Sequence, residues 1–206
     1  KKNRKYNILA ENRNRSIKKF SADKIVFTTP SHIANSIIKK VDTGILQWTN
    51  HNYFTAYCVM LELSESLSDY YWTNIADDEI FFCGYIEQTQ LTGIEEYQGL
   101  HISYLTKYVY LKNNEKLKSE EYLKNSAYEA LKILFPKRNI KNIIKNIHIS
   151  VSQNAQVVTD FDFKQSDMNL MKSYDMFIGN MSNVYPDERS INNAIKVGKE
   201  LAKNIN

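Results

Sequence analysis

The sequence predicts an α+β or α/β fold built on a substantial mixed sheet. The run Ile25–Phe27 is short, unbroken and β-prone, as in a strand covered on both faces, and a helical pattern follows it. Residues Tyr53–Leu63 alternate as in a long strand, and both of their faces are apolar enough to be largely covered. Leu117–Phe135 and the segment from about Ser190 carry apolar residues at helical spacing.

The remaining elements follow from the same patterns. Six further strands are predicted, of which the first two form a hairpin: Tyr6–Leu9, Ile17–Phe20, Ile80–Glu87, His101–Leu111, Asn146–Ser152 and Met176–Gly179. A first helix is predicted over Ile33–Lys40, because Pro30 ends the preceding strand and Ser31 can cap the helix. Pro136 closes the long helix.

Length and composition indicate one large or two small soluble globular domains, since 43% of the 206 residues are hydrophobic and 24% charged. The net charge of +4 is modest and its lysines are dispersed, so no nucleic-acid partner is expected. We interpret the most basic stretch, Lys1–Lys19, as a solvated strand pair or tail. No apolar run reaches the roughly 18 residues of a membrane span, and no signal peptide is visible. Because the chain begins with Lys1 instead of Met, we expect a fragment or a processed chain.

The reactive residues indicate neither a metal site nor a nucleotide-binding loop. Cys58 and Cys83 lie in apolar, strand-like runs, so we expect reduced core thiols in a cytoplasmic protein. The histidines lack metal-ligand spacing, and no metal is expected: His32, His51, His101 and His148. The patterns G-x-S-x-G, G-x-G-x-x-G and the P-loop are absent. This chain therefore has no Rossmann-type pyrophosphate loop of its own.

The most informative stretch is "FIGNMSNVYPDERSINNAIKVGKELA", residues Phe177–Ala202. A strand ending at Gly179 leaves its backbone open to close approach by another group. The first turn of the last helix, Ser190–Asn193, offers unpaired N–H groups to an anion or an electron-rich ring, with Arg189 beside it. Gly198 is expected to allow close packing of this helix on a sheet. A plain strand–loop–helix, capped by Asp187 or Ser190, is the alternative.

This stretch resembles the C-terminal flavin-contacting motif of the protoporphyrinogen oxidase-like, amine-oxidase-type FAD oxidoreductases. Eight residues match that motif in order: Tyr185, Pro186, Asp187, Glu188, Arg189, Asn193, Ala194 and Gly198. "ADKIVFTTP" (residues 22–30) is similar to the strand that returns to the FAD domain. "YQGLHISYLTKYVY" (residues 97–110) is similar to part of the substrate domain. Ser190 stands where the family usually has Gly, and "AQVVT" (residues 155–159) lacks the expected proline.

The resemblance implies an α+β fold with α/β-type remnants of an FAD-binding domain. These would be residues 1–40 and 173–206. A substrate domain over residues 45–165 would contain a mixed, mainly antiparallel sheet with flanking helices. The partner would be a missing N-terminal FAD-binding segment, upstream of this chain.

The resemblance also implies which residues contact FAD. The backbone of Ser190, Ile191 and Asn192, beside Arg189, would face the pyrimidine edge of the flavin. Gly179 and Asn180 would lie near the ribityl-phosphate. Thr28 and Pro30 would lie on the other side of the cofactor. No catalytic acid or base is demanded, because a flavin carries out the hydride chemistry itself.

Four tyrosines are candidates for a pocket that binds a small-molecule substrate: Tyr53, Tyr57, Tyr104 and Tyr108. Sheet core or cross-strand pairs are the alternative for the same residues. The expected function is the C-terminal part of an FAD-dependent oxidoreductase acting on C–N or C–C bonds. The chain alone is expected to be inactive and to show little or no tight FAD binding. A flavin-dependent nucleotide-sugar mutase and a non-catalytic binding domain are the alternatives.

Overall fold

A computed structural model describes residues 6–39, 46–111 and 115–205. It divides the chain into two compact units, residues 1–52 with 156–206 and residues 53–155. The first unit is discontinuous in sequence and the second is one continuous segment. The assignment of an FAD-binding and a substrate domain to particular residues stays a prediction.

The first unit contains a hairpin, a small parallel sheet and two main helices. Its strands are β1 (Tyr6–Glu11), β2 (Ile17–Ala22), β3 (Ile25–Phe27) and β9 (Met176–Ile178), and its helices are α1 (Ser31–Lys39) and α5 (Ile191–Ile205). Strands β1 and β2 pair antiparallel, whereas β3 pairs in parallel with β9. The core gathers around Trp48, whose indole packs edge-on against Phe27 at 5.6 Å between ring centroids.

The second unit is a five-stranded sheet packed on a long helix. Its strands are β4 (Tyr53–Leu63), β5 (Trp72–Asn74), β6 (Gly84–Glu87), β7 (His101–Val109) and β8 (Ile144–Val157), whose last two residues belong to the first unit. The strand order is β5-β6-β7-β4-β8, and the pairs β5–β6, β6–β7 and β7–β4 are antiparallel. The helices are α2 (Thr89–Thr92), α3 (Glu120–Leu134) and α4 (Ile140–Ile143). This mixture confirms the predicted α+β class and the mainly antiparallel sheet.

Alternation along β4 decides which face of the sheet is covered. Tyr57, Val59, Leu61 and Leu63 are at most 1% exposed and share a core with one face of α3. The intervening residues of β4 are only half-buried. Helix α3 begins at Glu120, later than the predicted Leu117, because the hydroxyl of Ser119 accepts a hydrogen bond from the Tyr122 N–H and caps the helix.

Several predictions about single elements were wrong. The strand predicted over Ile80–Glu87 is confined to β6, because Ile80 and Phe82 enter the core outside any ladder. Strand β5 was not predicted. Val26 is 41% exposed, so β3 is not covered on both faces. Ser31 lies inside α1, where its hydroxyl pairs with that of Ser166 (2.8 Å).

The cysteines also differ from expectation. Cys83 is exposed and Cys58 only half-buried, so neither is a core residue, although both thiols are free. Lys40, the predicted end of the first helix, lies outside the described residues. Among those residues, no helix is both long enough and apolar enough to cross a membrane.

Candidate functional site

The carboxyl ends of β3 and β9 lie side by side in the first unit. The Gly179 N–H donates to the Phe27 carbonyl oxygen at 3.0 Å, which extends the parallel pairing one residue beyond β9. Thr28 follows β3 directly, as Gly179 follows β9. Ligands of open α/β sheets bind outside the carboxyl ends of the strands, so this edge is the first place to search for a site.

A cavity of about 360 Å³ opens at this edge, beneath the start of α5. We call it the helix cavity; its lining residues are Thr28, Gly179, Asn180, Met181, Val184, Arg189, Ser190, Ala194, Val197, Gly198 and Leu201. Its volume falls within the roughly 300–1,000 Å³ of typical ligand pockets. The structure thus brings five of the predicted cofactor-binding residues together: Thr28, Gly179, Asn180, Arg189 and Ser190.

The other three predicted cofactor residues do not line this cavity. Ile191 is 80% exposed, and Asn192 lines a separate cavity formed by other residues of α5. Pro30 lies at the start of α1, where its carbonyl oxygen accepts from the N–H groups of Ile33 and Ala34. The prediction for Ile191 and Asn192 concerns their backbone N–H groups. These groups lie in the first turn of α5.

The start of α5 keeps two donors available. The Ser190 hydroxyl accepts from the Asn193 N–H at 3.2 Å, so Ser190 is the N-cap, and the Asn193 side chain donates to the Glu188 carbonyl oxygen. The N–H groups of Ile191 and Asn192 lie in the first turn of α5, where no carbonyl group of the helix can accept a hydrogen bond from them. Together with the helix dipole they favour negative charge by roughly 0.3–1 kcal/mol at an exposed site. The Ser190 side chain is therefore occupied in capping the helix.

The two glycines of this region differ in what surrounds them. A Cβ added to Gly179 would lie 2.7 Å from Leu201 Cδ2, so this glycine allows α5 to pack closely on the end of β9. A Cβ added to Gly198 would meet nothing within 4 Å, because Gly198 faces the helix cavity. The expectation that Gly198 permits close packing was wrong, and the lack of a side chain there leaves space for a ligand.

The turn at Gly179 and Asn180 is less suited to a ligand than predicted. The Gly179 N–H is used by Phe27, and the Asn180 N–H donates to Asn183 Oδ1 at 3.0 Å. These backbone donors cannot bind a ribityl-phosphate without breaking bonds within the chain. The residues present fit an electron-rich ring edge at the start of α5, but they do not fit a phosphate at Gly179–Asn180.

A second cavity, of about 480 Å³, adjoins the first and was not predicted. We call it the loop cavity; its lining residues are Gln156, Val157, Thr159, Met181, Val184, Tyr185, Pro186, Asp187, Glu188 and Arg189. Met181, Val184 and Arg189 line both cavities. No sequence signal could have found it, because residues 156–159 meet the later loop only in the folded chain.

The four tyrosines predicted to line a substrate pocket lie on two opposite faces of the second unit's sheet. Tyr57 is 1% exposed in the core, and its hydroxyl accepts from the Lys118 N–H, so it cannot line an open pocket. Alternation puts Tyr53 on the same face. Tyr104 is paired with Met60 and Tyr108 with Ala56 on the other face.

Tyr104 is the most perturbed phenol on that second face. Burial raises its pKa, and the neighbouring Cys58, Tyr97 and Tyr71 raise it further. Tyr104 therefore remains protonated at neutral pH and offers a hydroxyl and an apolar ring. Of the four predicted tyrosines, Tyr104 and Tyr108 remain candidates for contact with a substrate.

A buried carboxylate was also missed. Glu87 is 0% exposed and accepts from the Ser68 N–H at 3.0 Å and from the Tyr85 hydroxyl at 2.7 Å. Sequence gives no signal for this, since a glutamate at a strand end is normally solvated. Its contacts fix the loop after β4, which is a structural role. Within the described part of the chain, no three His, Cys, Asp or Glu residues form a group that could hold a metal ion.

Comparisons with known proteins agree in fold and differ in sequence. No protein-family model matches the sequence, and a search of curated proteins found no significant match. A provisionally assigned protoporphyrinogen oxidase from Exiguobacterium sp. 255-15 superposes with a TM-score of 0.60 at 9% identity, over 96% of this chain and 45% of that one. A reduced UDP-galactopyranose mutase gives 0.56 at 8% identity, over 82% and 37%. An oxidoreductase from Methanosarcina mazei gives 0.48 at 12% identity, over 86% and 44%.

These values establish a shared fold only. The chain spans less than half the length of each of the solved structures it matches. The first two structures have TM-scores above 0.5, which indicates a common fold. The third has a TM-score below 0.5 and does not show a common fold. The chain therefore has the fold found in part of the protoporphyrinogen oxidase-type protein and of the galactopyranose mutase.

Proposed function

We propose that this chain is the flavin-contacting and substrate-binding part of an FAD-dependent oxidoreductase that oxidises C–N or C–C bonds by hydride transfer to flavin. The observation that carries the proposal is the helix cavity: it opens at the carboxyl ends of two parallel strands and is bounded by the start of a helix. The fold likeness to the Exiguobacterium protein supports the same assignment.

The start of α5 is the element that would hold the flavin. The backbone of Ser190, Ile191 and Asn192 supplies N–H groups and the positive end of the dipole, and Arg189, which lines the cavity, adds a positive charge nearby. A flavin bound there would supply the hydride acceptor. The work of this chain is to orient the ring, to provide positive potential at its pyrimidine edge, and to exclude water with Val184, Ala194 and Val197. Thr28 is the candidate contact from β3.

The substrate would contact the uncovered face of the second unit's sheet. Tyr104 and Tyr108 lie on that face with Cys58 and Met60, between strands β4 and β7. These side chains suit a small molecule with an apolar surface and hydroxyl-accepting groups.

The cofactor site would need a further polypeptide. A parallel sheet is normally covered on both faces and has more strands than the two, β3 and β9, that the described residues form. The sequence also lacks the glycine-rich loop that binds a dinucleotide pyrophosphate. We therefore propose an FAD-binding segment, upstream in the same protein or on a separate chain, as the partner. Free thiols at Cys58 and Cys83 suit a reducing compartment, and the cytoplasm is proposed on that ground.

Two alternatives have observations of their own. The likeness to UDP-galactopyranose mutase favours a flavin-dependent mutase acting on a nucleotide sugar. The paired N–H groups of Gly179 and Asn180 favour a binding domain without cofactor.

The test is a visible absorption spectrum of the purified chain, before and after addition of FAD and desalting. We expect saturable but weak FAD binding, with little flavin retained after desalting. Gly198→Leu fills the helix cavity and should weaken binding at least about tenfold, which corresponds to about 1.4 kcal/mol. Ala202→Leu, on an exposed position of α5 outside the cavity wall, is the matched control. Equal effects of the two substitutions, or no FAD binding at any concentration, would count against the proposal.

A further inference from the structure

A buried polar network joins the carboxyl ends of β3 and β9. Its five side chains are at most 9% exposed: Ser31, Ser166, Asn180, Ser182 and Asn183. Buried polar groups are almost always hydrogen-bonded, since leaving one unsatisfied is unfavourable. Asn180 lies at the centre of this network and is also a residue that the resemblance implies near the cofactor.

The side chain of Asn180 is fully used within the chain. Its Nδ2 donates to the Thr29 carbonyl oxygen at 3.0 Å and to Ser31 Oγ at 3.3 Å. Its Oδ1 accepts from the backbone N–H and the hydroxyl of Ser182, at 2.9 and 2.8 Å. A carboxamide has two donor hydrogens and two acceptor lone pairs, so no capacity remains for a ligand.

The same network fixes the loop that separates the two cavities. The Asn183 side chain accepts from the Asn180 N–H at 3.0 Å and donates to the Ser166 carbonyl oxygen at 2.7 Å. Ser182 and Asn183 therefore turn inward, whereas Met181 and Val184 line both cavities. The positions of Met181 and Val184 in the cavity walls thus depend on the hydrogen bonds that the inward-facing Ser182 and Asn183 make.

We propose that Asn180 is a positioning residue, which orders the loop Met181–Arg189 and so the wall of the helix cavity, and that its side chain makes no hydrogen bond to the cofactor. The donors for a flavin then come from the start of α5 and not from the turn at Gly179 and Asn180. The inference rests on the proposed function for the identity of the ligand, whereas the ordering of the loop can be measured without one.

The first experiment uses hydrogen exchange of the loop amides in the full chain. Asn180→Asp keeps an acceptor for the Ser182 N–H but loses, at neutral pH, both donors that tie the loop to Thr29 and Ser31. The loop should then open more often, so exchange at Ser182, Asn183 and Val184 should accelerate at least about tenfold. Acidification protonates the new carboxyl group, which then regains one donor hydrogen. Protection, corrected for intrinsic rates, should return in Asn180→Asp but not in Asn180→Ala.

Asn14→Asp, in the exposed turn between β1 and β2, makes the same chemical change outside the network and should leave the loop unaltered. Unchanged loop exchange in Asn180→Asp, or equal recovery of Asn180→Asp and Asn180→Ala at low pH, would overturn the proposal.

The second experiment separates positioning from direct contact by titration with FAD. Ser182 does not line the helix cavity, yet its hydroxyl and N–H hold Asn180. A positioning role predicts that Ser182→Ala and Asn180→Ala both weaken FAD binding, at a temperature where both variants are folded. Weaker binding in Asn180→Ala alone would show direct contact and overturn the inference. If the unaltered chain binds no FAD, the proposed function fails, while the exchange experiment still decides the role of Asn180.

Discussion

Two glycines around α5 show how one residue type serves packing at one position and space at another. Gly179 lies against Leu201, which is 5% exposed and has little room to move. Gly198 faces the helix cavity, where an added Cβ would meet nothing within 4 Å. Neither has a positive φ, so sterics and helix propensity decide the effect of a substitution.

A matched pair of substitutions tests this contrast. Gly179→Ala should lower the free energy of unfolding by roughly 1–3 kcal/mol, because the new methyl group overpacks against Leu201. Gly198→Ala should raise it by up to about 1 kcal/mol, because alanine is the better helix former. Urea denaturation of the two variants measures both values. Equal destabilisation by the two substitutions would contradict the packing described.

Glu62 gives a prediction about pH. Its carboxylate, one fifth exposed, accepts hydrogen bonds from Asn146 and lies 2.7 Å from His148 Nε2. Hydrogen bonds from Asn146 first, and then from His148, lower the pKa of Glu62 from its usual 4.5. A carboxyl group whose pKa is lower in the folded state stabilises the protein above its unfolded pKa, and that stabilisation is lost as pH falls through the folded value.

The stability advantage of the unaltered chain over Glu62→Gln should therefore be present at neutral pH and shrink below about pH 4.5. Chemical denaturation across this range measures it. Glu121→Gln, at the exposed start of α3, is a control for the loss of one charge. A difference that grows as pH falls below about 4.5 would show that the bonds to Glu62 do not favour its charged form.

At the scale of elements, α5 is a helix whose apolar surface is only partly covered. Of its residues, Val197 and Leu201 are buried, whereas Ile191 is 80% and Ile195 51% exposed. The helical spacing predicted one continuous apolar face, but the fold covers only the part that meets β9. The uncovered part borders the helix cavity at Ala194 and Gly198.

Substitutions along α5 should separate its covered and uncovered parts. Leu201→Ala should destabilise the chain by about 2–5 kcal/mol through lost burial and a new cavity. Ile195→Gln should change stability by no more than about 0.5 kcal/mol, because the side chain is already half exposed. Thermal and urea unfolding measure both. A large cost at Ile195 would mean that this side chain is buried in solution.

At the scale of the whole molecule, the second unit has the features of an independent folding unit. It is one continuous segment with a core of its own, in which β4 and β7 pair with α3 packed against them. The first unit is made from two distant stretches, and its described residues form two sheets of two strands each, the β1–β2 hairpin and the parallel pair β3–β9. A sheet of this size needs further packing to be stable alone.

Residues 53–155 expressed alone should therefore fold cooperatively. We expect dispersed NMR resonances and a single sigmoidal thermal transition. Leu131→Ala in the same fragment should lower its stability by about 2–5 kcal/mol, because Leu131 is 0% exposed in the core. A fragment without dispersed resonances would show that the second unit depends on the rest of the chain.

The sequence by itself determined the elements whose pattern is long and local. The alternation in Tyr53–Leu63 predicted β4, and the helical spacing in Leu117–Phe135 predicted α3. The turn residues between Leu9 and Ile17 predicted the hairpin of β1 and β2. These follow from sequence because periodicity and capping involve residues close together in the chain. The strand–loop–helix at the C-terminus was predicted for the same reason.

Only the tertiary structure decided which side of each element is covered and which polar groups are already bonded. It put Tyr57 in the core and Tyr104 on the opposite face, assigned close packing to Gly179 and open space to Gly198, and used the whole side chain of Asn180 inside the protein. Each of these outcomes depends on residues far apart in sequence, such as Leu201 for Gly179 and Thr29 for Asn180. Burial and hydrogen bonding are properties of neighbours in space, which a pattern along the chain does not contain.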